Sequence, residues 1–106
     1  VSYYDNMLVN SPLYETVGSV DDAGSYEFNT LLVLQNKKTK QVFYAQDSGC
    51  SCPVPFEGFQ SEADLTRVTL RSYDAFVRAV EGYNVSRSEK DALQAKVYRL
   101  LRGGAE

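Results

Sequence analysis

With 106 residues, 43% of them apolar and 24% charged, the chain is sized for one domain with one modest core, and its composition excludes intrinsic disorder. A net charge of −3 makes nucleic acid an unfavoured partner. No apolar run approaches the roughly 18 residues of a bilayer-crossing helix, which argues against a membrane. The charge is unevenly spread: residues 1–66 carry three Lys and nine Asp/Glu, residues 67–106 eight Lys/Arg and five Asp/Glu. The basic residues of the second part interleave with Glu81, Glu89 and Asp91, as on a solvated helix face. There is no histidine, so His-based triads and the common His-bearing zinc sites are excluded. Residues 1–6 show neither the basic start nor the apolar stretch of a signal peptide. Two cysteines are also too few for a disulfide framework, so the expected compartment is the reducing cytoplasm.

In chain order, residues 1–13 read as a polar and aromatic surface segment ending at Ser11-Pro12. Tyr14–Asp22 is a candidate strand built on Tyr14, Thr16 and Val20, with Gly18 marking a bulge or bend. Asp22-Ala23-Gly24-Ser25 supplies turn chemistry. Tyr26–Asn36 is the strongest strand: Tyr26, Phe28, Thr30, Leu32 and Leu34 share one face, while Leu31 and Val33 make the other apolar. A strand apolar on both faces belongs in the middle of its sheet. Asn36-Lys37-Lys38-Thr39 reads as a hairpin loop and Gln41–Asp47 as a third strand, which completes an antiparallel meander over residues 14–47.

Residues 48–60 read as a rigid Cys/Pro loop, and the helical part spans 61–106. Within that part, Ser61–Asp64 forms one helical turn and Leu65–Val68 a short extended piece. Tyr73, Phe76, Val77 and Val80 recur at helical spacing up to Gly82. Ser86 and Glu89 form a capping-box pair ahead of a second helix, whose stripe is Leu93, Val97, Leu100 and Leu101 and whose stop is Gly103-Gly104. The expected fold is one α+β domain: a three-stranded antiparallel meander covered on one face by two C-terminal helices.

Both cysteines lie in Asp47-Ser48-Gly49-Cys50-Ser51-Cys52-Pro53-Val54-Pro55-Phe56. As a metal site, Cys50 and Cys52 with Asp47 and Glu57 supply four donors, but one intervening residue is a poor chelating bite compared with the usual CxxC knuckle. A Cys50–Cys52 disulfide closes a short, strained and easily reduced ring, and no helix start lies nearby to activate either thiol. The structural reading makes Gly49 a sharp turn out of the third strand, Pro53 and Pro55 a stiff extended crossing, and Phe56 and Phe59 its pins to the core. Asp21-Asp22 and Glu62/Asp64 are paired carboxylates, but a turn and a helix start are places where acids serve the backbone. There is no phosphate-binding glycine loop and no convergent acid, base and nucleophile, so an enzyme is not expected. Among eight tyrosines, Tyr3, Tyr4 and Tyr14 sit in or beside the polar N-terminal segment and suit a binding surface.

The strings Gly24-Ser25-Tyr26-Glu27-Phe28 and Phe43-Tyr44-Ala45-Gln46-Asp47-Ser48-Gly49-Cys50-Ser51-Cys52-Pro53-Val54-Pro55-Phe56-Glu57, with Asp64-Leu65-Thr66 beyond, resemble a family of small bacteriophage proteins. Its members are encoded by phages of actinobacteria, including mycobacteriophages. The likeness covers roughly residues 14–68 and carries no assigned activity, so it transfers no catalytic residue. It implies a phage product made in the bacterial host cytoplasm. The resulting expectation is a non-enzymatic module without cofactor that binds a host or phage protein through Tyr3, Tyr4, Tyr14, Cys50, Cys52, Pro53, Pro55 and Phe56, or through an exposed helix face. The alternative is a thiolate metal-binding or redox-sensitive protein centred on Cys50 and Cys52. Exposed sheet edges leave a homodimer open.

Overall fold

The computed structural model describes residues 11–23, 27–50 and 61–103. It is α+β, with two helices on one face of an antiparallel sheet, but the sheet has four strands rather than three. They are β1 (Tyr14–Asp21), β2 (Glu27–Asn36), β3 (Val42–Cys50) and β4 (Thr66–Val68), in the spatial order β1-β2-β3-β4. The added strand is the short extended piece expected after the helical turn. It pairs with β3 through Val42↔Val68, Phe43↔Arg67 and Tyr44↔Thr66. Three residues are too few to show a period of two, so only the pairing partner identifies them as a strand. β3 runs three residues further than expected, and Gly49 lies inside it opposite Phe28 instead of turning the chain out of the sheet.

The β2–β3 ladder runs without a break from Glu27↔Cys50 to Gln35↔Val42. Its turn is braced by Asn36, whose Oδ1 accepts from the Lys38 and Thr39 amides while Lys40 takes a positive φ of 67°. The β1–β2 register shifts between Thr16 and Gly18, the bulge expected at Gly18. There Gly18 admits the second helix: a Cβ at this position would stand 2.9 Å from Leu93 Cδ1.

Both faces of the sheet are buried, by different partners. Leu31, Val33, Val42, Val68, Val17 and Val20 face helices α1 (Tyr73–Glu81) and α2 (Arg87–Arg102). From the helices come Phe76, Val80, Leu93, Val97 and Leu101, with Leu100 partly buried beside them. On the other face Leu32, Leu34, Phe43 and Ala45 cluster with Tyr14 and with Leu65, which follows the single 3-10 turn Glu62–Asp64. Alternation along β2 therefore places Leu31 and Val33 on the helix side, and Thr30, Leu32 and Leu34 on the other.

The helices begin where local chemistry allows. Ser86 Oγ accepts from the Glu89 amide at 3.2 Å, the expected cap of α2. Ahead of α1, Thr69 and Ser72 exchange hydrogen bonds between amide and hydroxyl in both directions. Arg87 bridges Glu81 and Asp91, and Lys90 Nζ donates to the Glu81 carbonyl at the end of α1, so the helix pair is clamped where the chain reverses. Among the described residues no helix is long and apolar enough to cross a membrane.

Candidate functional site

The end of the sheet where β1 finishes, β2 begins and β3 reaches Cys50 holds an open cavity of about 580 Å³. Its walls are Asp22, Ala23, Glu27, Phe28, Asn29, Ser48 and Gly49. Of the two acids at the end of β1, Asp21 serves the local turn, as its position implies, and Asp22 reaches further. Asp21 accepts from the Ala23 amide at 2.9 Å and from the hydroxyl of fully buried Thr30. Asp22 accepts from Asn29 Nδ2 at 2.8 Å and from the Asn84 amide at 2.9 Å, and these donors hold its carboxyl below the usual range. The Asn84 bond ties the α1–α2 connection to the cavity wall. The same connection buries Tyr83, whose hydroxyl accepts from Gln46 Nε2 at 3.2 Å, and burial raises the Tyr83 pKa.

Glu27 is different. It is exposed, lines the cavity and makes no hydrogen bond or ion pair among the described residues. Among the described residues no lining side chain is cationic. The cavity thus offers one carboxylate without a partner among the described residues, with amide and hydroxyl groups from Asn29 and Ser48 beside it. With no histidine in the chain, the Ser48 hydroxyl has no imidazole to activate it. A carboxylate beside amide and hydroxyl groups is complementary to cationic and hydrogen-bonding groups.

Of the residues expected to form a binding surface, Cys50 is placed by its backbone at the end of β3, opposite Glu27. Tyr3, Tyr4, Cys52, Pro53, Pro55 and Phe56, and Glu57 of the metal alternative, lie outside the described residues. Asp47 is in β3 opposite Thr30, and its Oδ1 accepts from the Ser48 amide. Among the described residues no group of three or more His, Cys, Asp or Glu has the arrangement to hold a metal ion.

Tyr14 requires a correction. Expected among exposed contact tyrosines, it is 8% exposed and belongs to the core on the helix-free face. Its hydroxyl donates to Glu62 Oε2, which also accepts from Asn36 Nδ2 at 3.2 Å. Burial, the Glu62 bond and the Glu62 charge together push the Tyr14 pKa up to about 12. Glu62 does not serve the backbone as expected; it pins the 3-10 turn to β1 and β2. Asp64 does serve the backbone, accepting from the Ser61 amide. Nothing local in the sequence pairs Tyr14 with Glu62, because the contact spans 48 residues.

A second, shallower recess of about 280 Å³ lies between β1 and α2, lined by Val17, Gly18, Ser19, Glu89, Ala92, Leu93 and Lys96. No curated protein and no solved structure shows significant similarity to the chain. The family model described as Domain of unknown function (DUF7574) matches residues 9–103, nearly the whole length, and the chain belongs to that family.

Proposed function

We propose that the chain is a non-enzymatic protein-binding module, a small accessory protein of phage type that acts on a host or phage protein in the bacterial cytoplasm. The observation that supports this reading is the open, acid-walled cavity at the Cys50 end of the sheet. Asp22 is committed to holding its shape, and Glu27 at its rim has no partner among the described residues. A Lys- or Arg-bearing segment of a partner meets both requirements of such a site: a charge for Glu27, and backbone groups for the Asn29 and Ser48 side chains. The phage resemblance supplies the context and the cavity supplies the contact.

The test is affinity capture from actinobacterial lysate, with and without phage infection, using wild type, Glu27→Lys, and Cys50→Ser/Cys52→Ser. The expected result is one protein enriched by wild type and lost with Glu27→Lys. Equal capture by Glu27→Lys removes the cavity from the interface, and loss only in the cysteine variant moves the contact to the Cys/Pro segment. No enriched protein in either lysate overturns the binding reading.

A further inference from the structure

We infer that the opposite end of the molecule, the β2–β3 hairpin end, is a docking surface for an anionic lipid bilayer. Three parts of the chain converge there. The hairpin carries Lys37, Lys38 and Lys40, all exposed, and the Lys37 amide donates to the Leu13 carbonyl at 2.8 Å, which fixes the start of β1 beside it. β4 runs antiparallel to β3 with Val68 opposite Val42, so Leu70 and Arg71 emerge at the same end. α1 starts immediately after them, and the Tyr73 ring lies 5.2 Å from that of Tyr98 in the last turns of α2. This brings Arg99 and Arg102 to the same end, with the Arg102 guanidinium 5.9 Å from the centre of the Tyr98 ring.

Two independent features coincide on this surface. Leu13, Leu70 and Tyr98, each 38–40% exposed, are the large apolar side chains that the described residues leave in solvent, and all three are here. Lys37, Lys38, Lys40, Arg71, Arg99 and Arg102 are exposed, and none is in an ion pair among the described residues; the ion pairs cluster around Glu81 and Arg87 at the other end. Among the described residues four acids, Glu15, Glu62, Asp64 and Asp74, lie at this end against six cations. The far end carries Asp21, Asp22, Glu27 and Asp47. The charge is therefore graded along the sheet, and a protein of net charge −3 presents its more cationic end to a negative surface.

Cations alone fit a nucleic acid equally well. The two exposed leucines distinguish a bilayer, whose interface takes up apolar side chains that neither a phosphate backbone nor a base stack does, and the Tyr98 ring fits the same interface. Peripheral attachment needs no spanning segment, so the lack of a long apolar run, which argued against a membrane, does not oppose it.

The experiment is co-sedimentation of the full chain with vesicles of equimolar phosphatidylglycerol and phosphatidylcholine, against phosphatidylcholine alone, at low salt. Binding is expected to the anionic vesicles only. Lys37→Glu/Lys38→Glu lowers the partition coefficient about ten-fold or more, at positions whose side chains hold no contact the fold needs. Leu13→Ser/Leu70→Ser removes the part of binding that survives physiological salt. Glu27→Lys, at the far end, leaves binding intact, which separates this surface from the cavity. Equal sedimentation with both lipids, none with either, or wild-type binding by the lysine variant overturns the inference. Retention on a single-stranded oligonucleotide without vesicle binding reassigns the surface to nucleic acid.

Discussion

Tyr14→Phe removes one oxygen atom from a buried ring and leaves its packing in place, so it isolates the bond to Glu62. A hydrogen bond to a charged acceptor contributes about 1.5–3 kcal/mol, and among the described residues the abandoned carboxylate keeps only the Asn36 amide at 3.2 Å. With a urea dependence of roughly 1.5 kcal/mol per molar, the unfolding midpoint falls by about 1–2 M with an unchanged slope. The assay is urea unfolding followed by circular dichroism on wild type, Tyr14→Phe, Glu62→Gln and the double variant. The cycle is expected to return a coupling of about 1–2 kcal/mol. The pH dependence supplies a second readout. The folded pKa of about 12 lies above the ordinary 10.0, so the neutral phenol is favoured in the native state. That stabilisation is full below pH 10 and is lost as pH rises through about 12. Tyr14→Phe reduces this alkaline loss without abolishing it, because Tyr73 and Tyr83 are raised as well, chiefly by burial. A midpoint indistinguishable from wild type, or additive single changes, refutes the assignment of Tyr14 and Glu62 as a buried pin.

Gly18→Val forces a side chain onto Leu93 Cδ1 and is expected to cost about 1–3 kcal/mol. Adding Leu93→Ala should make the double variant less unstable than the sum of the two, and thermal unfolding of all three proteins checks it. Glu81 is held down to about 2, first by its hydrogen bond to Arg87 and then by that to Gln94. Its folded pKa lies below the ordinary 4.5, so its contribution is present above that value and is lost as pH falls toward 2. Glu81→Gln is expected to flatten the stability profile in that window, and added salt should do the same in the wild type. Ser86→Ala removes the acceptor for the Glu89 amide and should cost about 1 kcal/mol, read from the unfolding midpoint.

Where spacing alone carries the information, the sequence was legible. The period of two in β2, the 3.6-residue stripe of α2, the Ser86 cap and the bulge glycine are all local patterns, and each is present in the fold. The role of Asp21 was equally legible, because a short acid beside a turn has the Ala23 amide within reach, whereas the backbone donor of Asp22 is Asn84 from the far side of the chain. What was not legible depends on long-range pairing. β4 is three residues whose identity as a strand is set by β3, and Tyr14 is a surface or a core residue according to whether Glu62 arrives above it. Val77, placed on the buried stripe of α1 by spacing, is only half-buried, because a nine-residue helix needs just Phe76 and Val80 to reach the sheet. The cavity could not be foreseen, since its walls come from the ends of three strands that only the register aligns.

The uninterrupted β2–β3 ladder also bears on how the chain folds. Its two strands are joined by a short loop that Asn36 organises by itself, so its pairings close small loops and cost little chain entropy. β1 must cross its bulge to join, β4 must return from beyond the Cys/Pro segment, and α2 docks on Gly18 from the far end of the chain. The hairpin is thereby the natural nucleus of the fold, with Leu32 and Val33 formed in the transition state and Val68 and Leu93 arriving late. Destabilising changes in the hairpin should slow refolding, while changes in β4 or α2 should mainly speed unfolding. The surface that carries the lysines would then be among the first parts of the molecule to take shape.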